Sequence, residues 1–441
     1  MKFIHIADLH LGKSLHGVNL LESGDQPHWV DRFLALAESV LPDAVLIAGD
    51  VYDRGAPAAG AVALLSRLLT GLAELEIPVL LIPGNHDSPQ RLAFGRELLA
   101  RERLHIAPPL ESPGLLRRVT LTDEYGPVDF WLMPYLFPAL ASEALGVELR
   151  DYDTAVRALL AAQPIDESRR NVLIAHQNVT VGGAEGERGG SETMVGGVGQ
   201  VDFTAFNAFD YTALGHIHAG YPVGRAEVRY AGSPLCYHFN ETRQAAKAPL
   251  LVELGPKGAP VRTGPLPIEP LHHLRAMEGR YDEIRAELAT AAPQAAGDYL
   301  SVTLTDQRVT PELAEELRSL CEARGCLLME LSSSWQEARS EGTLSAAALR
   351  EKGLAELFAD FYAQRNAGAE PEQAELHLLQ SAAELAEHAD YRNEPTAEQI
   401  SRLVNAAVTA HSERRIGNAA EHGAQCGPLA GDRAPKKEGA T

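Results

Sequence analysis

Five times between residues 2 and 218 a short apolar run gives way to side chains able to bind a metal. The clearest case is Val45-Leu46-Ile47-Ala48-Gly49-Asp50, an apolar stretch too short for a helix, then a glycine that lets the backbone turn, then a carboxylate. Phe3-Ile4-His5-Ile6-Ala7 leads into Asp8 and His10, and Val79-Leu80-Leu81-Ile82 into Pro83-Gly84-Asn85-His86-Asp87. Val172-Leu173-Ile174-Ala175 leads into His176, and Tyr211-Thr212-Ala213-Leu214-Gly215 into His216 and His218. Such runs read as buried strands. Between the early ones the apolar spacing turns helical: Trp29, Phe33, Leu36, Ala37 and Val40, then Val62, Leu65, Leu68, Leu69 and Leu72 in a helix from near Pro57 to about Glu76, with Pro57 in its first turn. Alternating strands and helices predict an α/β core with a largely parallel sheet, whose strand carboxyl ends open on one crevice.

A third helix is predicted from Ser88 to about Arg103, carrying Arg91, Arg96, Arg101 and Arg103 on a solvated face. A strand is expected over 128–132 and a helix over 153–163, and no chemistry is assigned to 104–170. Residues 182–199 hold eight glycines, with Arg188 as the one candidate phosphate contact in a mobile connection. Val228–Ala231 and Leu250–Leu254 read as closing strands, and proline-rich 256–270 as a linker. The expected units are therefore a core over 1–265, a small α/β unit over 271–334, a helical segment over 335–411 and a disordered tail over 412–441. The small unit shows a strand at Tyr299–Leu304, a helix at Pro311–Arg324 and a strand at Cys326–Leu331, with Cys321 and Cys326 as buried thiols. In the helical segment Leu354, Leu357, Phe358, Phe361 and Tyr362 share one face, which either packs within its own domain or fits a partner's groove.

With 39 Lys and Arg against 60 Asp and Glu, the net charge of −21 repels nucleic acid unless cations or a partner intervene. The four cysteines form no CxxC pair and no even ladder, which argues against a zinc ribbon or a disulfide framework. Met1-Lys2 runs straight into the first strand, leaving no room for a signal peptide, and no apolar stretch is long enough to span a bilayer. A soluble cytoplasmic protein is the expectation, with no membrane association.

Taken singly, each strand end could be ordinary turn chemistry. Together they bring seven donors to one crevice: Asp8, His10, Asp50, Asn85, His176, His216 and His218. Imidazoles mixed with carboxylates suit manganese, iron or zinc, and without thiolates a structural zinc is disfavoured. Seven donors exceed one ion's needs, whereas two ions ~3.5–4 Å apart with a shared carboxylate suit in-line phosphoryl displacement by an activated water. Asp50, the lone carboxylate between the two groups, is the natural bridge. His86, beside Asn85, is the candidate proton donor to the leaving alkoxide, and Asp53 could hold that imidazole cationic.

Asp8-x-His10, Gly49-Asp50-x-x-Asp53, Gly84-Asn85-His86-Asp87, His176 and Gly215-His216-x-His218 resemble the five signatures of the calcineurin-like metallophosphoesterases. That resemblance implies an α/β fold built as a two-sheet sandwich flanked by helices. It also implies Asp8, His10, Asp50 and His218 on one metal, Asp50, Asn85, His176 and His216 on the other, Asp53 paired with His86, and Arg54 near the phosphate. Within the superfamily, Ile4–Gly12, Phe209–His218 and Arg229–Leu235 resemble the SbcD family of bacterial exonuclease subunits, relatives of the eukaryotic double-strand-break repair nuclease. Residues 271–331 resemble its capping domain and Leu357–Tyr362 its segment for an SbcC-like coiled-coil ATPase. The Ala-Gly-Tyr after His218 departs from the family's usual Gly-Pro-Gln-like sequence.

What the SbcD likeness implies is a DNA repair and recombination nuclease, also serving replication, that acts as double-strand exonuclease and hairpin or single-strand endonuclease. Manganese would be favoured, with a homodimer inside a heterotetramer whose ATPase supplies DNA-binding surface and gates access, nucleoid-associated when on DNA. Two other readings fit the same core: a phosphoesterase for small molecules or phosphoproteins, and a metal-bound scaffold without catalysis.

Overall fold

The computed structural model describes residues 1–183, 199–244, 246–290 and 297–335, together with 358, 359, 361–363, 371, 376 and 379. Arg188 with most of the glycine-rich loop, Leu354, Leu357 and the 412–441 tail therefore lie outside the described residues. Contacts divide the chain into two units, Met1–Trp335 and Gln336–Thr441.

The strands of the three larger sheets in the first unit begin with β1 (Lys2–Ile6), β2 (Ala44–Ala48), β3 (Val79–Ile82), β4 (Leu104–Ile106), β5 (Arg117–Asp123), β6 (Gly126–Met133), β7 (Arg170–His176) and β8 (Tyr211–Gly215). They continue with β9 (Pro222–Val223), β10 (Arg225–Tyr230), β11 (Leu250–Glu253), β12 (Arg262–Pro265), β13 (Leu274–Gly279), β14 (Tyr299–Leu304) and β15 (Leu327–Ser333). One six-stranded sheet has the order β12-β11-β1-β2-β3-β4 and another β9-β10-β8-β7-β6-β5. Parallel pairing runs through β1-β2-β3-β4 and through β10-β8-β7-β6, with antiparallel strands closing the edges.

The two sheets pack face to face. Phe3, Ala7, Leu46, Ala48, Leu80 and Ile82 meet Val128, Phe130, Val172, Ile174, Tyr211 and Ala213 in one core. The residues between them in sequence, Ile4, Ile6, Val45, Ile47, Val79 and Leu81, point the other way, onto helices α1 (Asp25–Val40) and α2 (Ala59–Glu74). Across the second sheet, Leu173, Ala175 and Leu214 pack on Ala155, Val156 and Leu159 of α4 (Tyr152–Ala161), which follows α3 (Pro138–Leu145). Burial on both faces explains why these strands read as unbroken apolar runs instead of alternating ones. It also means that both sheets, not one, deliver their parallel strand ends to the site.

Three local expectations are corrected. Pro57 precedes α2, whose N-cap is Ala58, and Val62 lies off the buried stripe, 45% exposed. The helix expected over 88–103 is broken into turns at Pro89–Leu92, Arg96–Leu99 and Ala100–Glu102, because Gly95 adopts a left-handed conformation (φ 68°) between them. Residues 256–270 are not all linker, since β12 pairs antiparallel with β11 inside them.

Beyond β12 a third sheet, parallel in the order β13-β14-β15, packs on α5 (Tyr281–Thr290) and α6 (Pro311–Glu322). Its core gathers Met277, Ile284, Leu288, Leu300, Val302, Leu317, Cys321 and Cys326, and both thiols are free. This layer is tied to the first residue of α1, where the Asp25 carboxylate accepts from Ser23 Oγ at 2.6 Å, Tyr299 Oη at 2.8 Å and His272 Nδ1 at 2.9 Å. In the second unit, Phe358, Phe361 and Tyr362 are helical, the Phe358 and Tyr362 rings lie 5.9 Å apart, and Phe361 is 54% exposed.

Candidate metal centre

All five strand ends meet at one edge of the sandwich, and the chain reaches this geometry through unusual backbone. Asp8, His10, Asp50 and His216 all have positive φ (54°, 41°, 48° and 101°), a region that non-glycine residues rarely occupy and that costs of order 1–3 kcal/mol each. Gly49, Gly84 and Gly215 make the close approach possible. A Cβ would strike His176 at Gly49, Asp50 at Gly84, and the Ala48 carbonyl at Gly215.

The imidazoles fall into two pairs. His10 and His218 bring their Nε2 atoms to 3.2 Å of each other. His176 Nε2 and His216 Nδ1 converge on Asn85 Oδ1 at 3.0 and 3.1 Å. Asp50 stands between the pairs, with Oδ2 at 3.6 Å from His10 Nε2 and 3.3 Å from His176 Nε2, while its Oδ1 accepts from the His86 amide at 2.9 Å. Asp8 is wholly buried; its Oδ1 accepts the His216 amide at 2.9 Å and its Oδ2 has no hydrogen-bond partner. Among the described residues, three sets of donors lie close enough to share an ion: Asp8, His10 and His218; Asp8, Asp50 and His176; and His10, Asp50 and His86. All seven predicted donors are thus brought together.

Burial pushes the Asp8 carboxyl up to about 6 and drives His216 down to about 3, with His176 adding to the effect. His10 is likewise lowered by burial. Burial alone would raise Asp50, but His176, His10 and His86 outweigh it and hold the carboxyl well below its ordinary value. In return, Asp50 and Asp8 overcome the burial of His176 and lift it to about 9. Ala48 O can only accept, so His176 Nδ1, 2.8 Å away, carries the proton toward it and Nε2 is directed at the site. Metal binding releases a proton from such a group.

These residues fit divalent cations. Two buried carboxylates, an amide oxygen and four imidazoles converge, and an orphaned Asp8 Oδ2 is a donor that a cation would satisfy. Carboxylate and imidazole donors close enough to share an ion match divalent-metal chemistry.

The expected pairing of Asp53 with His86 is corrected in its atoms. His86 Nδ1 donates to the Asp53 main-chain carbonyl at 3.0 Å. The Asp53 carboxylate instead takes Lys13 Nζ at 3.0 Å and lies 3.6 Å from His10 Nδ1. Arg54 is solvent-facing, its side chain 83% exposed, with Nε 3.8 Å from Asp53.

Several residues brace the site without having been assigned a role from sequence, although Asp87 itself lies within the Gly84-Asn85-His86-Asp87 signature. Asp87 accepts the amides of Val51, Tyr52 and Gly84 at 3.0, 2.9 and 2.9 Å, so it staples the turns after β2 and β3 together. Tyr237 donates to Leu9 O at 2.6 Å and sets its ring 5.5 Å from both His10 and His218. Tyr135, from the stretch to which no chemistry was assigned, lies 6.0 Å from both His176 and His216. Glu241 stands behind His218, its Oε1 3.4 Å from Nδ1; burial would raise it, but His218 and Lys247 bring it down to about 2. A strand-end pattern finds ligands but not the groups that brace them, because bracing comes from distant segments.

Comparison with known proteins places this geometry. The calcineurin-like phosphoesterase model matches residues 1–220, and a model described as the type 5 capsule protein repressor C-terminal domain matches 269–366. The SbcD component of the nuclease SbcCD from Staphylococcus saprophyticus subsp. saprophyticus is 35% identical over 295 residues, which cover 64% of this chain and 73% of that protein. The equivalent SbcCD component from Staphylococcus epidermidis is 33% identical over 294 residues, 65% of this chain and 75% of that protein. With a relative this similar covered over nearly three quarters of its length, and a phosphoesterase match spanning every strand end at the site, the chain belongs to the SbcD family of calcineurin-like nuclease subunits.

Proposed function

We propose that the chain hydrolyses DNA phosphodiesters with two divalent ions bridged by Asp50, as the nuclease subunit of an SbcC-SbcD type complex in DNA repair and recombination. The observation that carries this reading is the Asp50 carboxylate standing 3.3 and 3.6 Å from the two imidazole pairs. Asp8, His10, Asp50 and His218 would hold one ion, and Asp50, Asn85, His176 and His216 the other. Ions held there would supply a nucleophile at neutral pH and offset charge on the phosphoryl oxygens.

The chain's own residues do the rest. His86 faces solvent at the mouth, and its Nδ1 is committed to the Asp53 carbonyl, so Nε2 is the atom left to hold a proton for the leaving alkoxide. Its ring sits perpendicular to His10 at 4.8 Å, beside the donors rather than among solvent side chains. Asp53, through Lys13 and its approach to His10, braces one side of the site. Arg54, exposed and 3.8 Å from the Asp53 carboxylate, is the candidate phosphate contact.

A net charge of −21 repels DNA unless cations or a partner intervene, which favours a partner that carries much of the binding surface. The relatives' names, which place each of them in an SbcCD nuclease, support an SbcC-like ATPase as that partner. The segment of Leu354, Leu357, Phe358, Phe361 and Tyr362, whose spacing predicts one helical face, is its proposed seat, with exposed Phe361 as the supporting observation. We assign manganese as the preferred ion, double-strand exonuclease and hairpin endonuclease as the activities, and a homodimer within a heterotetramer as the assembly.

The test is cleavage of duplex ends, hairpins and single strands in manganese, with and without the ATPase. Wild type cuts and Asp50→Ala does not; turnover of simple phosphate esters with indifference to DNA overturns the assignment. Phe358→Asp with Phe361→Asp should abolish capture of the ATPase while sparing basal cleavage, and unaltered capture refutes the proposed seat.

A further inference from the structure

We infer that Glu241, clamped by Lys247, is a positioning carboxylate that fixes the tautomer of His218 and so sets the affinity of one of the two ion sites. The inference rests on the ligand role proposed for His218.

Glu241 belongs to the turn Phe239–Arg243, outside the five strand ends, and is 1% exposed. Its Oε1 lies 3.4 Å from His218 Nδ1, and its Oε2 accepts Lys247 Nζ at 2.8 Å and the Tyr237 amide at 3.1 Å. Lys247 Nζ also donates to His218 O at 2.6 Å, and the Ser233 amide donates to the same oxygen at 3.0 Å. Ring and main chain of His218 are thus held from one segment, residues 233–247.

A carboxylate only accepts, so it selects the His218 tautomer with the proton on Nδ1. Nε2 then presents its lone pair toward His10 Nε2, 3.2 Å away. Two lone pairs facing each other at that distance repel unless a cation is shared. A buried carboxylate without a counter-charge would itself compete for that cation, and Lys247 cancels its charge. His10 shows the same arrangement in looser form, with Asp53 Oδ1 at 3.6 Å from Nδ1 and at 3.0 Å from Lys13. In the other pair, His176 is braced differently, through the Ala48 carbonyl behind its Nδ1. Carboxylates behind imidazoles raise ligand basicity, and losing such a partner typically costs 10–100-fold in metal affinity. The two ion sites should therefore be unequal, the His10/His218 side being the one that Glu241 governs.

The experiment is calorimetric titration of the full-length chain with manganese, paired with nitrogen-15 histidine spectra of the metal-free protein. Wild type should bind two ions with the His218 Nδ1–H signal present. Glu241→Leu should lose that signal and weaken one site by about 10–100-fold while leaving the other intact. Glu241→Gln, which keeps an acceptor oxygen, should retain the signal, and Lys247→Met should weaken the same site. If wild type binds no manganese, or His218→Asn leaves the isotherm unchanged, the ligand reading itself fails. If wild type binds two ions and a folded Glu241→Leu gives the same isotherm and spectrum, the positioning role is overturned. Should Glu241→Leu fail to fold, Lys247→Met decides: a wild-type isotherm refutes the clamp, and selective weakening supports it.

Discussion

Asp87 is the group on which the shape of the centre most depends, and its removal gives a graded prediction. Its Oδ2 accepts the amides of Val51 and Gly84 and its Oδ1 that of Tyr52, all at 2.9–3.0 Å, with the residue 8% exposed. Hydrogen bonds to a charged group are worth about 1.5–3 kcal/mol net, and an orphaned buried donor costs about 1–3 kcal/mol. Asp87→Ala strands three amides, so after relaxation and water entry the loss should be roughly 3–6 kcal/mol. Asp87→Asn can turn its remaining oxygen to Val51 and Gly84 and set its amide against Tyr52, stranding one donor for about 1–3 kcal/mol. At about 2.1 cal/mol/K of unfolding entropy per residue, each kcal/mol is worth about 1–2 °C of melting temperature in a unit of this size. Thermal unfolding should then order the proteins wild type, Asn, Ala, with Ala lower by roughly 4–9 °C. Because Val51 and Tyr52 follow Asp50 directly, manganese affinity should fall in the same order. Equal melting of all three proteins, or an Ala shift below about 1 °C, refutes the stapling role.

Gly84→Ala places a methyl group against Asp50 Oδ1, and an error near 1 Å at such a group costs about 10²-fold in rate; Gly264→Ala, in open space, is the matched control expected to cleave DNA normally. His86→Asn should bind both ions yet lose turnover by about 10²–10⁴-fold, and undiminished cleavage counts against the proton-donor role. Asp123 is held below its ordinary value of 3.8 first by its hydrogen bond with Arg170, with the chain's amino group also in contact. A depressed carboxylate stabilises above its unfolded value and loses that contribution as pH falls toward the folded one. Asp123→Asn should therefore melt below wild type at pH 7, with the gap closing below about pH 4; a gap that persists in acid contradicts the linkage.

Much of the centre was legible because strand ends are local. Asp8, His10, Asp50, Asn85, His176, His216 and His218 each follow an apolar run, and a parallel sheet sends such ends to one side. The two-sheet architecture was not legible from periodicity, because strands buried on both faces lose the alternation that reports which side each face packs against. The broken segment over 88–103 shows another limit, since its arginines and leucines favour a helix until Gly95 turns left-handed. Asp53 illustrates why atom-level pairing escapes sequence. Three residues from Asp50, its carbonyl reaches His86 while its carboxylate reaches Lys13, a choice made by a loop from elsewhere in the chain. Glu241, Lys247 and Tyr237 were silent for the same reason: the groups they hold at the site, His218 and Leu9, lie more than twenty or even two hundred residues away in sequence.

Anomalous diffraction from crystals of the protein grown in manganese tests whether Asp50 bridges two ions. Two peaks are predicted, one bounded by Asp8, His10 and His218 and the other by Asn85, His176 and His216, with Asp50 contacting both and neither peak present at full strength in Asp50→Ala. A single peak, or two peaks of which Asp50 touches only one, contradicts the account.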